Sequence, residues 1–295
     1  MGKASRRRAG RNTDESPRVV PAPFVARPFE GLPSETEWVA LREILPAATA
    51  SVSFAAGRAP QGASGTATIA TVLPLAWPAL HRNGGEVFVA TQSGATSGDA
   101  SRDLAAALLL ATVAHEGAPV VSVPTPTAET PRLQNLLDVH QPFDVTIHEG
   151  FDFWIGDADL DAEGRESLER ANESVIPTER VPGATSVYWC VINGRSYVRW
   201  VLPHDEDRAT DALARVQAAG ASRLTDDARL LGAFRASGLV VPVWEVPSGF
   251  GAGDFGEAVA AMAPRIDEAA LSTEPLSAEE RRARAGLLNR QVTLR

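Results

Sequence analysis

Lysine is almost missing from this chain, which has 27 arginines and one lysine, Lys3. A P-loop needs a lysine at the phosphates, a protein kinase needs one to hold them, and a pyridoxal phosphate enzyme needs one for its Schiff base. With none beyond position 3, all three chemistries are excluded from the folded region. Cysteine is equally scarce. The one thiol, Cys190, excludes an internal disulfide and any metal site that takes two thiolates from one chain. Long apolar runs are missing too: "LAAALLLATVA" at 104–114 is about half the ~20 residues a bilayer-crossing helix needs, and it reads as a core helix. The basic start is followed by "AGRNTDESPR" where a signal peptide has its apolar segment, so the expected location is the cytoplasm, with no membrane contact. No G-x-S-x-G occurs, and His115 and His148, each followed by Glu, lack the second histidine of H-E-x-x-H.

What is present suits a globular protein. The 295 residues are 44% hydrophobic and 22% charged, enough for one large core or two ordinary ones. Charge is segregated. The net charge is −9, yet residues 1–11 carry +5 and 277–295 carry +3, leaving −17 on the remainder. Within that remainder, 138–179 has twelve acids and two arginines, a pattern that solvated helix faces usually produce.

Periodicity and turn residues predict an α+β fold of mixed or antiparallel sheets packed with helices, preceded by a disordered basic N-terminal arm. The arm is placed at 1–28, with "VVPAPFVARP" extended against the body. An α+β half follows at 29–156, a second at 157–271, and a basic helix at 272–295. Helices are expected at 35–45 behind a Ser34–Glu37 capping box, at 100–115, after Thr130 with Pro131 at the first helical position, and at 161–174. Others are expected at 206–219, 226–237, 254–271 and 278–289. "TASVSF", "TATIATVL", "GEVFVATQ", "DVTIH" and "FDFWI" read as strands, and "LVVPVWEV" as an edge strand because of Pro242. The clearest signal is "SVYWCVINGRSYVRWVL", a hairpin about the type I′ dipeptide Asn193-Gly194. "RNGGEVFVATQ" before a helix at Asp99 and "INGRSYVRWVLP" before one at Asp205 suggest two related halves.

Several motifs imitate known sites. "GAGDFG" at 251–256 fits G-x-G-x-x-G, but no further strand follows its helix, so it reads as a loop with Asp254 as cap. "QSGATSGDAS" at 92–101 could offer amides to an anion and reads better as a surface loop. "DLDAEG" at 159–164 opens like a calcium loop, but Arg170 stands where a bidentate Glu is required. No cofactor is expected. The strongest enzymatic reading is a metal-assisted hydrolase in "DVHQPFDVTIHEGFD", with Asp138, His140, Asp144 and His148 as candidate catalytic groups. Its weakness is geometric: four residues of strand separate Asp144 from His148 by ~13 Å, too far to share one ion.

Pairing outward from Asn193-Gly194 places Val187, Trp189, Val191, Val198 and Trp200 on a core face. The opposite face carries Tyr188, Cys190, Ile192, Arg195, Tyr197 and Arg199, and Arg195, Tyr197 and Arg199 are candidates for stacking on single-stranded nucleic acid if that face is open. The leading expectation is a non-enzymatic adaptor that contacts RNA or a ribonucleoprotein through Lys3, Arg6, Arg7, Arg8 and Arg11. The third reading is an adaptor whose partner is a protein.

Across "RPFEGLPSETEWVALREILPAATA" and "LQNLLDVHQPFDVTIHEGFDFWI" the chain resembles a family of actinobacterial proteins of unknown function that begin with an MGKASRR-type tail. The resemblance covers nearly the whole chain and implies no activity and no catalytic residues.

Overall fold

The computed structural model describes residues 19–94, 97–156 and 161–289. Helix α1 (Glu35–Glu43) leads into β1 (Ala48–Ser53), β2 (Thr66–Ala70), β3 (Ala79–His81) and β4 (Val87–Ala90). The helix α2 (Ala100–Val113), β5 (Pro119–Val120), the short α3 (Leu133–Leu136) and β6 (Val145–Ile147) follow. The remainder is α4 (Ala162–Glu173), β7 (Thr178–Arg180), β8 (Val187–Ile192), β9 (Arg195–Trp200), α5 (Glu206–Ala218), β10 (Arg229–Ala236), β11 (Leu239–Val246), α6 (Gly256–Leu271) and α7 (Ala278–Asn289).

These elements make the expected α+β fold. One sheet has the order β5-β3-β4-β2-β1-β6 and is antiparallel except for the parallel β2–β4 pair. The other, β10-β11-β9-β8-β7, is antiparallel throughout. β4 is buried on both faces: Val87 and Val89 enter the main core, while Phe88 and Ala90 join a smaller cluster closed by Trp77, Phe153 and Trp154. The main core draws Trp38, Leu41, Leu104 and Leu108 from the first half and Tyr188, Val201, Leu239 and Val241 from the second, so one apolar cluster joins both. The turn–strand–helix unit recurs, with Asp99 and Asp205 each capping a helix, but β4 has a parallel neighbour and β9 does not.

Local chemistry explains most boundaries. Asp99, Asp161 and Asp205 accept the backbone N–H of Ser101, Gly164 and Arg208, each a cap of the kind worth about 1 kcal/mol. Asn193 and Gly194 have φ of 51° and 75°, the left-handed pair that a type I′ turn requires. α4 buries none of its residues, as a solvated acidic helix should. Asp254 accepts from the Gly251 N–H at 2.7 Å, capping its loop.

Five expectations are corrected. Ser34 lies at φ 52° and makes no side-chain cap, and Glu37 is drawn away from the helix start by the partners described below. Thr130 does not cap α3; its hydroxyl accepts from the Thr127 N–H at 3.0 Å and the helix starts two residues beyond Pro131. "FDFWI" is a 3₁₀ turn, because the Trp154 Nε1–H reaches the Val72 carbonyl at 2.9 Å and the ring stacks on Phe151, turning the aromatics onto the back of the first sheet. Residues 229–236 form β10 instead of a helix, paired along β11 with a bulge at Leu230–Gly232. β11 consequently lies inside its sheet; Pro242 sits opposite Ala233, and pairing to β9 starts at the next residue, Val243.

The part of the arm within the described residues is tied to the body. Ala22 and Val25 donate their N–H groups to Pro126 and Gly98, and Arg27 forks onto the Glu35 carboxylate at 2.6 and 2.7 Å. Lys3, Arg6, Arg7, Arg8 and Arg11 lie outside the described residues.

Candidate partner-binding cleft between two sheet edges

Each sheet ends on a short strand at the same place. β6 is the last strand of the first sheet and β7 the last of the second, and a cleft of about 690 Å³ opens between them. Val145, Ile147, His148 and Glu149 line one side, and Val175, Pro177, Thr178, Glu179 and Arg180 the other.

Strand register settles which backbone groups face the cleft. On the β6 side, the His148 N–H bonds the Ala47 carbonyl, and the register pairs Thr146 with Thr49. In an antiparallel ladder the bonded residues alternate, so Thr146 and His148 turn their N–H and C=O toward β1 while Val145 and Ile147 turn theirs outward. On the β7 side, Val181 donates to Val187 and Pro177 accepts from Val191, which directs Glu179 toward β8 and Thr178 and Arg180 outward. The two unpaired edges therefore face one opening. One outward group is capped: the Arg180 Nη2 reaches the Val145 carbonyl at 3.3 Å.

Behind the cleft lies a buried polar cluster. Arg180 Nη1 and Nη2 bond the two Glu37 carboxylate oxygens at 2.7 and 2.9 Å. Ser186 Oγ and Tyr188 Oη donate to the same carboxylate at 2.7 and 2.6 Å. Burial opposes ionisation of Glu37, but the hydrogen bonds from Arg180, Tyr188 and Ser186 outweigh it and hold its pKa below the usual carboxylate value. The Glu37 bonds raise the Arg180 pKa, and burial together with the neighbouring carboxylate pushes the Tyr188 phenol up. All the protons in this cluster have settled owners at neutral pH. Its geometry is that of a clasp: α1 is fastened to β7 and β8, which fixes the cleft's floor. Sequence spacing gave no signal for it, because the partners are more than 140 residues apart.

The residues singled out from sequence do not converge. Asp138 accepts the His140 N–H at 3.0 Å and closes a local turn. Asp144 is exposed ahead of β6. His148 Nε2 bonds the Thr49 hydroxyl at 2.8 Å, and burial lowers its pKa against the opposing charge of Asp152. Among the described residues no group of three His, Cys, Asp or Glu side chains could hold a metal ion. The hairpin face, which would have to be open to stack on nucleic acid, is covered. Tyr188 and Cys190 are fully buried, Tyr197 and Arg199 nearly so, and only Arg195 is exposed, where it pairs with Glu245 at 3.4 Å. Tyr197 and Arg199 are therefore not available for stacking on nucleic acid. In the 92–101 loop, the Ser97 N–H is held by Asp103 at 3.0 Å, and Asp99 is enclosed by Arg102 and Arg132, each 3.2 Å away, so protein carboxylates already occupy the loop that could have offered amides to an anion. Among the described residues no helix is long and apolar enough to cross a membrane.

Comparison with curated proteins and with solved structures finds no match. The model of a family of unknown function (DUF5926) matches residues 28–295, from the end of the arm through the whole α+β body, and the chain belongs to that family.

Proposed function

We propose that this protein is a non-enzymatic adaptor that binds a partner protein by taking an extended segment of the partner into the cleft between β6 and β7. The observation that carries this reading is the pair of unpaired strand edges facing one opening, with the backbone groups of Val145, Ile147, Thr178 and Arg180 directed into it. An unpaired edge is a template for strand addition, the mode in which main-chain hydrogen bonds supply affinity and alternate side chains supply selectivity. The volume suits a short segment rather than a folded domain.

The test is a pull-down with tagged protein from the native host after nuclease treatment, comparing the wild type with Thr178→Pro. The Thr178 N–H points away from β8, so proline there removes an outward donor and crowds the edge without breaking the β7–β8 ladder. The expected result is a protein partner that survives nuclease and is lost in the variant. Equal capture by both proteins overturns the reading.

A second reading rests on the five positive charges of residues 1–11, which have no acid among them. It assigns the tail to RNA. Five such contacts to a single strand give a salt slope of about −3.5, from about −0.7 per contact. Because residues 19–28 are bonded to the body, the informative truncation removes 1–18 alone. RNA retention unchanged by that truncation overturns the tail's role.

A further inference from the structure

Resting on that adaptor reading, we infer that the segment accepted by the cleft is a basic extended peptide, with arginine or lysine alternating with aliphatic side chains. The walls carry the argument. Val145, Ile147, Val175 and Pro177 give the cleft an apolar lining, and a strand added along β7 turns every second side chain to the same face. The charged groups in the lining are Glu149, Glu179 and Arg180. Arg180 is committed to Glu37, whereas neither Glu149 nor Glu179 forms an ion pair among the described residues. Asp144 and Glu173, both exposed, lie within two residues of the lining residues Val145 and Val175 in the chain. His148 faces the cleft with its pKa lowered by burial and adds no compensating charge at neutral pH.

An acidic peptide entering this cleft meets unpaired carboxylates on both sides, and a basic one meets partners. Charge complementarity of this kind selects the partner and speeds encounter, while the edge hydrogen bonds, common to any sequence, supply the affinity. The two contributions are separable by mutation. Charge reversal at Glu149 and Glu179 alters which peptide binds, and proline at the edge alters whether any peptide binds.

The experiment measures fluorescence anisotropy of two labelled heptapeptides, one alternating Arg and Val, the other Glu and Val. Both are titrated with the wild type, with Glu149→Arg/Glu179→Arg and with Thr178→Pro, after circular dichroism melts confirm that each variant is folded. The wild type is expected to favour the arginine peptide by about tenfold or more at low salt, the charge-reversed protein to favour the glutamate peptide, and the proline variant to bind neither. Equal binding of both peptides by the wild type, with loss of both in the proline variant, overturns the basic-peptide inference and leaves the adaptor reading standing. Full binding of the arginine peptide by the proline variant overturns both. Binding of neither peptide by the wild type overturns the basic-peptide inference, and the pull-down then decides the adaptor reading separately.

Discussion

The Arg180 guanidinium forks onto the Glu37 carboxylate at 2.7 and 2.9 Å, joining α1 to β7, the edge strand of the second sheet. Glu37 is buried and Arg180 retains partial exposure, so the pair is neither a surface ion pair nor a fully dry one. Surface pairs contribute about 0–1 kcal/mol, whereas breaking a buried pair costs about 3–5 kcal/mol because the remaining charge is stranded. Glu37 has two further donors, Ser186 and Tyr188, which places its removal toward the upper range and removal of Arg180 lower. Urea melts should show Glu37→Ala losing about 3 kcal/mol and Arg180→Ala about 2 kcal/mol. Equal, near-zero losses in both variants would show that the clasp does not hold the halves.

The same carboxylate predicts a pH dependence. The native pKa of Glu37 lies below its unfolded value, so the unfolded chain binds the proton first. The stabilisation is full above the ordinary carboxylate pKa and is lost as pH falls through the lower native value. Between about pH 5 and pH 2, Glu37→Gln should therefore lose less stability than the wild type. Parallel curves for the two proteins would contradict the assignment.

Gly238, at the β10–β11 turn, packs against the arm. Its φ is +84°, and an added Cβ would stand 2.6 Å from the Ala26 carbonyl oxygen and 2.8 Å from the Arg27 Cα, both backbone atoms with little room to move. Gly238→Ala should cost about 2 kcal/mol and release residues 19–28, read as faster proteolysis in that stretch. Unchanged cleavage would place the arm's attachment elsewhere.

Cys190 has no exposed surface, and burial raises its thiol pKa against the influence of Arg199. The thiolate is the reactive form. Ellman's reagent should therefore label the native protein only at the rate of unfolding, and immediate labelling would show the hairpin face to be open.

Parts of this architecture are legible in the sequence because local chemistry fixes them. Asp99, Asp161 and Asp205 mark helix starts, and Asn193-Gly194 fixes a hairpin and its register. β10 is misread because "ARLLGAFRA" spaces its apolar residues as a helix would; pairing with β11 decides the matter, and that partner lies beyond the helical window. The burial of Tyr197 and Arg199 depends on packing of the second sheet's other face, which alternation cannot reveal. The cleft is less visible still. Which amides of β6 and β7 face outward follows from pairing parity with β1 and β8, and the proximity of the two edges follows from a clasp between residues 37 and 180.

Residue-resolved amide exchange reports whether an extended peptide docks on these sheet edges. In the free protein the Ile147, Thr178 and Arg180 amides should exchange quickly, while Thr146, His148 and Glu179, bonded within their sheets, should be protected. On adding the arginine–valine peptide, protection should appear at the Thr178 and Arg180 amides of β7 and change little at the inward ones. Peptide binding that leaves Thr178 and Arg180 exchanging as before would show that the β7 edge does not receive it.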